Sequence, residues 1–183
     1  MRTRDIAFLS MLSALAFVAV IVVRIPIMPS APFLKFDVKD AVILIGGLLY
    51  GPVAAFGVSF IVALLQMMLT GESGVIGFVM NLLSTASFVC TASAVYKCSR
   101  SRKGLALGLA VGCVLMTASM LLWNYIVTPI FMGVPRHVVA AMLLPVFLPF
   151  NLLKGGINSV IVLLYMKPLR SAASSLDFRT FKL

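Results

Sequence analysis

Leu105 to Ile130 reads LALGLAVGCVLMTASMLLWNYIVTPI, twenty-six residues without one Asp, Glu, Lys or Arg. A helix needs roughly 20 apolar residues to cross a hydrocarbon layer about 30 Å thick, so this stretch can span a bilayer by itself. The rest of the chain has the same character. It is 62% hydrophobic and 11% charged, with a mean hydropathy of +1.13. A soluble domain carries about 25% charged residues. A chain of 183 residues this apolar lacks the polar side chains to cover a water-facing surface, and lipid removes that requirement.

Working outward, five further apolar runs emerge: Ile6–Val23, Ala41–Tyr50 (a short one), Val53–Leu69, Val75–Tyr96 and a last one ending near Met166. Gly51-Pro52 and Thr70-Gly71-Glu72-Ser73-Gly74 separate neighbours. Pro145 and Pro149 are expected to break the segment after His137 into a surface piece and a helix from about Phe150. The first run follows Arg2 and Arg4 as a signal peptide would, but Arg24-Ile25-Pro26 comes next without a small-residue cleavage site, so it reads as a spanning helix. The expected architecture is an all-α integral membrane protein, a compact bundle of six transmembrane helices with residues 1–183 as a single transmembrane domain.

The net charge of +10 comes from short basic clusters between the apolar runs. With the N-terminus in the cytoplasm, Arg2, Arg4, Lys97, Arg100, Arg102, Lys103, Lys167, Arg170, Arg179 and Lys182 fall inside. Arg24, Lys35, Lys39 and Arg136 fall outside, and Lys154 lies within a span. The positive-inside rule therefore puts both termini in the cytoplasm of a multi-pass cell-membrane protein. The same clustering argues against nucleic acid as a partner. Cys90, Cys98 and Cys113 are odd in number and form neither a disulfide framework nor a metal-binding spacing.

Between the first two runs lies RIPIMPSAPFLKFDVKD, residues 24–40, with three prolines and two aspartates near its end. Long irregular loops are usually functional or disordered. Pro26, Pro29, Pro32, Phe33 and Phe36 favour an ordered outside lid over a plain connector.

A polar side chain in a bilayer is costly, so its position is informative. Gln66, Asn81, Asn124, Thr128, Asn151 and Lys154 all fall near the outer ends of their helices. Asn151, Lys154 and Asn158 stand at i, i+3 and i+7, and Asn124 and Thr128 at i and i+4, each set on one helical stripe. Any one of these amides could be a helix–helix hydrogen bond. Sorted together into the outer half, they are expected to line a ligand cavity with Asp37 and Asp40 at its rim. No acidic residue lies in a predicted span, so the partner of Lys154 is a rim aspartate, a backbone carbonyl or a ligand acceptor. Amides both donate and accept, which suits an uncharged heterocycle with carbonyls and ring nitrogens. Trp123, Tyr125, Phe131 and Phe150 are near enough to stack on it or to anchor the membrane interface. Gly104, Gly108 and Gly112 form a tandem GxxxG that fits internal packing, and Gly47 and Gly51 repeat the spacing. Ser10 and Ala14 form a small-residue face on the first helix suited to another membrane protein. There is no GxxxxGK[ST] loop, no HExxH and no nucleophile–base set, so neither ATP hydrolysis nor enzyme catalysis is expected.

Several motifs look familiar. Phe36-Asp37-Val38-Lys39-Asp40, Gly46-Gly47-Leu48-Leu49-Tyr50-Gly51-Pro52, the run from Asn124 to Arg136 (NYIVTPIFMGVPR) and Leu148-Pro149-Phe150-Asn151-Leu152-Leu153-Lys154-Gly155 resemble the riboflavin-specific S components of energy-coupling factor (ECF) transporters. The resemblance implies a substrate-binding subunit that captures riboflavin from outside as transported ligand, without a cofactor of its own. It also implies a transmembrane coupling subunit and two ATPase subunits as partners. Carried over, the site would comprise Phe36, Asn81, Asn124, Tyr125, Thr128, Asn151 and Lys154, and the coupling subunit would meet small residues on the first helix, for which Ser10 and Ala14 are the nearest match to Ala-x-x-x-Ala. Family members often carry Pro after the Asp40 region, where this chain reads Ala41-Val42. The other readings are an S component for a different small vitamin and, in another class, a small membrane enzyme or a helix-packing scaffold.

Overall fold

A computed structural model describes residues 2–71 and 74–175, with side chains as far as Met166. Glu72 and Ser73 of the predicted turn, and Arg179 and Lys182 of the predicted inside cluster, lie outside the described residues.

The chain forms helices α1 (Thr3–Val22), α2 (Lys39–Tyr50), α3 (Pro52–Thr70), α4 (Gly74–Ser99), α5 (Arg102–Met132), α6 (Arg136–Met142) and α7 (Leu148–Ser175). The two-residue strands β1 (Ile25–Pro26) and β2 (Lys35–Phe36) pair antiparallel in the connection between α1 and α2. Five helical segments are long and apolar enough to cross a membrane: α1, α3, α4, α5 and the run Arg136–Met166. The expectation of six full spans is corrected at α2, whose 12 residues rise only about 18 Å. Gly51 ends it at φ +93°, a conformation that favours glycine, and Pro52 starts α3 at once.

The prolines after His137 do not break the chain. Leu143–Phe147 forms a π-helical turn that joins α6 to α7, and Pro145 lies within it. A widened turn loosens the backbone ladder where proline can donate no hydrogen bond. Pro149 lies two residues past that turn, within the same continuous helical run.

The core lies between α2, α4, α5 and α7, built on Leu44, Leu48, Phe88, Leu109, Met116 and Val162. The glycines of α5 pack internally, as the GxxxG spacing predicts. A Cβ on Gly108 would stand 2.8 Å from the Ala92 carbonyl oxygen, and one on Gly112 would stand 2.8 Å from that of Phe88. Only glycine lets α4 and α5 approach this closely. Gly47 likewise faces Ser93, whereas Gly51 serves its turn instead. Large apolar side chains point outward along the long helices, among them Ile21, Leu69, Val114 and Leu164. Apolar exposure on this scale marks a surface that faces lipid.

A second apolar cluster holds down the α1–α2 connection. Ala31 and Leu34 are buried with Val139, Val146, Phe147 and Phe150. Phe33 packs against Phe131 and Phe147, with ring centroids 5.7 and 6.3 Å apart. The proline-rich segment is thus an ordered cover over one end of the bundle, although Lys39 and Asp40 belong to the first turn of α2 rather than to the loop.

Candidate functional site

Beneath that cover lies a cavity of roughly 960 Å³, counting its open mouth. α3 contributes Ala63, Gln66 and Met67, α4 contributes Asn81 and Ser84, and α5 contributes Met120, Asn124 and Thr128. α7 adds Phe150, Asn151 and Lys154, and the cover adds Arg24, Phe33, Lys35 and Asp37. The walls are apolar and aromatic, and the polar groups come from four helices and one loop.

Helical spacing explains much of this. Asn124 and Thr128 share a stripe of α5, where Thr128 Oγ1 donates to Asn124 Oδ1 (2.8 Å) and Asn124 Nδ2 donates to the Met120 carbonyl (2.7 Å). Asn151 Nδ2 donates to the carbonyl of Phe147, the last residue of the π-helical turn (2.8 Å). Asn81 Nδ2 donates to Gln66 Oε1 across the α3–α4 turn. The helix hydroxyls of Ser13, Ser59, Ser93, Thr117 and Ser159 instead donate to carbonyls four residues back and so serve their own helices.

Beside the cavity, where the cover runs into α2, is a buried ion cluster. Lys39 Nζ donates to Asp37 Oδ2 at 2.8 Å, and Lys154 Nζ lies 3.4 Å from the same oxygen and 3.6 Å from Asp40 Oδ2. Thr85 Oγ1 donates to Asp40 Oδ1 at 2.8 Å. Burial pushes the Asp37 carboxyl up, but the ammonium groups of Lys154 and Lys39 outweigh it and hold the pKa at about 2. Because the folded value is depressed, the stability contributed by this ionisation is complete above the ordinary carboxylate value of 3.8 and is lost only as pH falls through about 2.

Of the sequence-predicted residues, Asp37, Gln66, Asn81, Asn124, Thr128, Asn151 and Lys154 surround the cavity. Four do not, and each placement has a reason. Tyr125 is exposed and points away, because it follows Asn124 by about 100° around the helix. Phe36 is buried but turned from the cavity, since Lys35 and Asp37 take the facing side of an extended segment whose side chains alternate. Asp40 is not at a rim: it is 1% exposed beneath Lys154. Asn158 lies one helical turn deeper, where Oδ1 accepts from Ala41 N and Nδ2 donates to the carbonyls of Asp37 and Lys154. It fixes the start of α2 against α7. Asp37 is likewise buried rather than rim-exposed, at 4%.

Lys39 reverses most sharply. Counted among the outside cations by the sequence, it is 1% exposed and paired. Ser84 and Met120 also line the cavity without having been singled out, as does Phe33, expected only in the lid. For Ser84 the signal was available: it stands three residues after Asn81 on the same helical stripe. Phe131 and Phe150 line the cavity, while the half-buried Trp123 does not. Ser10 and Ala14 are both exposed on the outer face of α1.

The chain is similar to known proteins over nearly its whole length. The riboflavin transporter RibU of Streptococcus thermophilus is 32% identical over 178 residues, covering 92% of this chain and 84% of the relative. The riboflavin transporter FmnP of Bacillus subtilis is 32% identical over 180 residues, covering 92% and 94%. RibU of Staphylococcus aureus is 33% identical over 166 residues, covering 87% of each. A solved S component of a bacterial ECF transporter superposes with a TM-score of 0.82 at 32% identity, covering 97% of this chain and 99% of the other. These relatives are transporters rather than enzymes. The model of the family described as "ECF transporter, substrate-specific component" matches residues 4–166, and the chain belongs to that family of multi-pass membrane proteins.

Proposed function

We propose that this chain is the substrate-binding subunit that captures riboflavin from outside the cell for ATP-driven uptake by an ECF transporter in the cell membrane. The observation that carries it is the covered cavity, where apolar and aromatic walls meet Asn81, Asn124, Asn151 and Lys154 at one end of the bundle. An isoalloxazine ring has broad apolar faces and a polar edge of carbonyls and nitrogens, and a ribityl chain of hydroxyls. Phe33, Phe131 and Phe150 suit the faces, and the amides suit the edge and the hydroxyls. The relatives that share the fold are riboflavin transporters. Protein purified in detergent is expected to be yellow or, once stripped, to lose the fluorescence of Trp123, its only tryptophan, as riboflavin is added. A colourless protein that is never quenched would leave the S component for a different vitamin as the better reading.

The orientation belongs to the same proposal. Both termini and Lys97–Lys103 face the cytoplasm, the 24–38 cover faces outside, and the chain acts as one binding unit built of five long membrane helices and the short α2. Its partners are a transmembrane coupling subunit, met through the face of α1 that holds Ser10 and Ala14, and two ATPase subunits. In a background without native cysteines, Ser30→Cys is expected to react with an impermeant thiol reagent in intact cells. Ser101→Cys is expected to react only after the membrane is opened. Labelling of both in intact cells would overturn the orientation.

A further inference from the structure

We infer that the opposite end of the bundle holds a second site, in which Lys97 and Arg100 bind the phosphodiester headgroup of an anionic phospholipid. A cavity of roughly 490 Å³, counting its open mouth, lies there between the α2–α3 turn and the end of α4. Tyr50 and Gly51 line it from one side, and Tyr96, Lys97 and Arg100 from the other.

The charge of this cavity is one-sided. Neither Lys97 nor Arg100 forms an ion pair among the described residues. Asp5 is the one carboxylate at this end among those residues, and it is engaged by the Arg2 backbone N–H and the Tyr50 hydroxyl. Lys97 does not simply trail into solvent. A Cβ on Gly51 would stand 3.6 Å from Lys97 Nζ, so the ammonium lies against the α2–α3 turn. Arg100 ends α4 at φ +43°, the only non-glycine residue at positive φ among the described residues. Glycine is the usual residue at such a helix end, because a side chain there is strained. The strain is borne by a residue that brings a guanidinium to the cavity wall. Counter-charge to the C-terminal ends of α2 and α4 explains one cation at each. It does not explain why both share one cavity and leave it without an acid. Two cations fit a phosphodiester, and they repel the ammonium of a zwitterionic headgroup. Beside the turn, Val53, Phe56 and Phe60 are exposed at i, i+3 and i+7, an apolar stripe of α3 that suits acyl chains. A free phosphate would have no use for that stripe. In the proposed orientation this end faces the inner leaflet, and basic pockets between membrane helices on that side recognise anionic headgroups.

The test titrates the full chain in detergent with phosphatidylglycerol, with phosphatidylcholine and with inorganic phosphate, and counts bound molecules by native mass spectrometry. One phosphatidylglycerol is expected to be retained, about thirtyfold more tightly than phosphatidylcholine. Lys97→Gln and Arg100→Gln are each expected to weaken it about fivefold, and together to erase the preference. The control is Arg102→Gln/Lys103→Gln, which removes two cations from the same end that do not line the cavity. It is expected to change retention by no more than about twofold. Equal retention of the two lipids would overturn the inference, and an equal loss in the control would replace the site with diffuse surface charge. Inorganic phosphate bound as tightly as phosphatidylglycerol would overturn the lipid assignment in favour of a free anion. Arg100→Asn separates binding from folding, since asparagine tolerates the left-handed helix end while removing the charge. It is expected to lose lipid as Arg100→Gln does, with an undiminished melting temperature. A lipid preference preserved in that variant would show that Arg100 serves only the helix end, and would overturn its role.

Discussion

Reconstituted alone in liposomes, the chain is expected to bind riboflavin stoichiometrically and to accumulate none inside. Adding a coupling subunit, its paired ATPases and ATP is expected to turn this into sustained uptake, an effect without an upper bound set by binding. The sequence contains no phosphate-binding loop, so the chain cannot draw on ATP by that route. The buried carboxylates nearest the cavity, Asp37 and Asp40, are engaged by Lys39, Lys154 and Thr85. Neither is placed as an unpaired proton carrier of the kind that drives coupled transporters. Below the cavity the bundle is closed by close packing of Leu44, Phe88, Val89, Leu109, Met116 and Val162, all 2% exposed or less. Substrate held above that core reaches the other side only if a partner reorients or opens the protein. Uptake by the chain alone, continuing beyond one riboflavin per protein, would overturn this account.

The second large effect is at Lys154 and Asn151. Lys154→Ala is expected to reduce riboflavin affinity more than tenfold and to lower the melting temperature as well. It removes a donor that lines the cavity, and it leaves Asp37 and Asp40 to share the single cation Lys39. Breaking a buried ion pair by deleting one member costs about 3–5 kcal/mol. Asn151→Ala separates the two consequences. Asn151 makes no ion pair, and its Nδ2 bond is to the Phe147 carbonyl of its own helical run. Its loss is expected to weaken binding by about 1–3 kcal/mol, roughly tenfold, with a smaller change in stability. Cys113→Ala is the control, since its sulfur packs against Gly155 below the cavity. Titrations followed by Trp123 quenching, with thermal scans of each variant, measure both quantities. Unchanged affinity in Asn151→Ala and Lys154→Ala together would show that ligand contacts a different helix face.

The sequence by itself determined which segments are helical and how their polar residues sort. Lipid leaves no other option: a spanning segment must satisfy its own backbone hydrogen bonds, so an uncharged run such as Leu105–Ile130 becomes a helix. Once it is a helix, Asn124 and Thr128 share a face whatever surrounds them. The same geometry excluded Tyr125 from that face and, by strand alternation, excluded Phe36 from the face of Asp37. Both exclusions were legible in the sequence, because neighbours on a helix or strand cannot face the same way. Only the tertiary structure decided the charges. Lys39, Asp37 and Asp40 read as a solvated loop end, and nothing local distinguishes a buried lysine from an exposed one. What buries them is Lys154, 117 positions away from Asp37, together with Thr85 and Asn158. A charge is stable away from water only where its partners converge, and that convergence is a property of the packed bundle rather than of any segment. The π-helical turn at Leu143–Phe147 has the same origin. Pro145 predicts a break, and continuity prevails because Val139, Val146, Phe147 and Phe150 are clamped beneath the cover by Ala31 and Leu34.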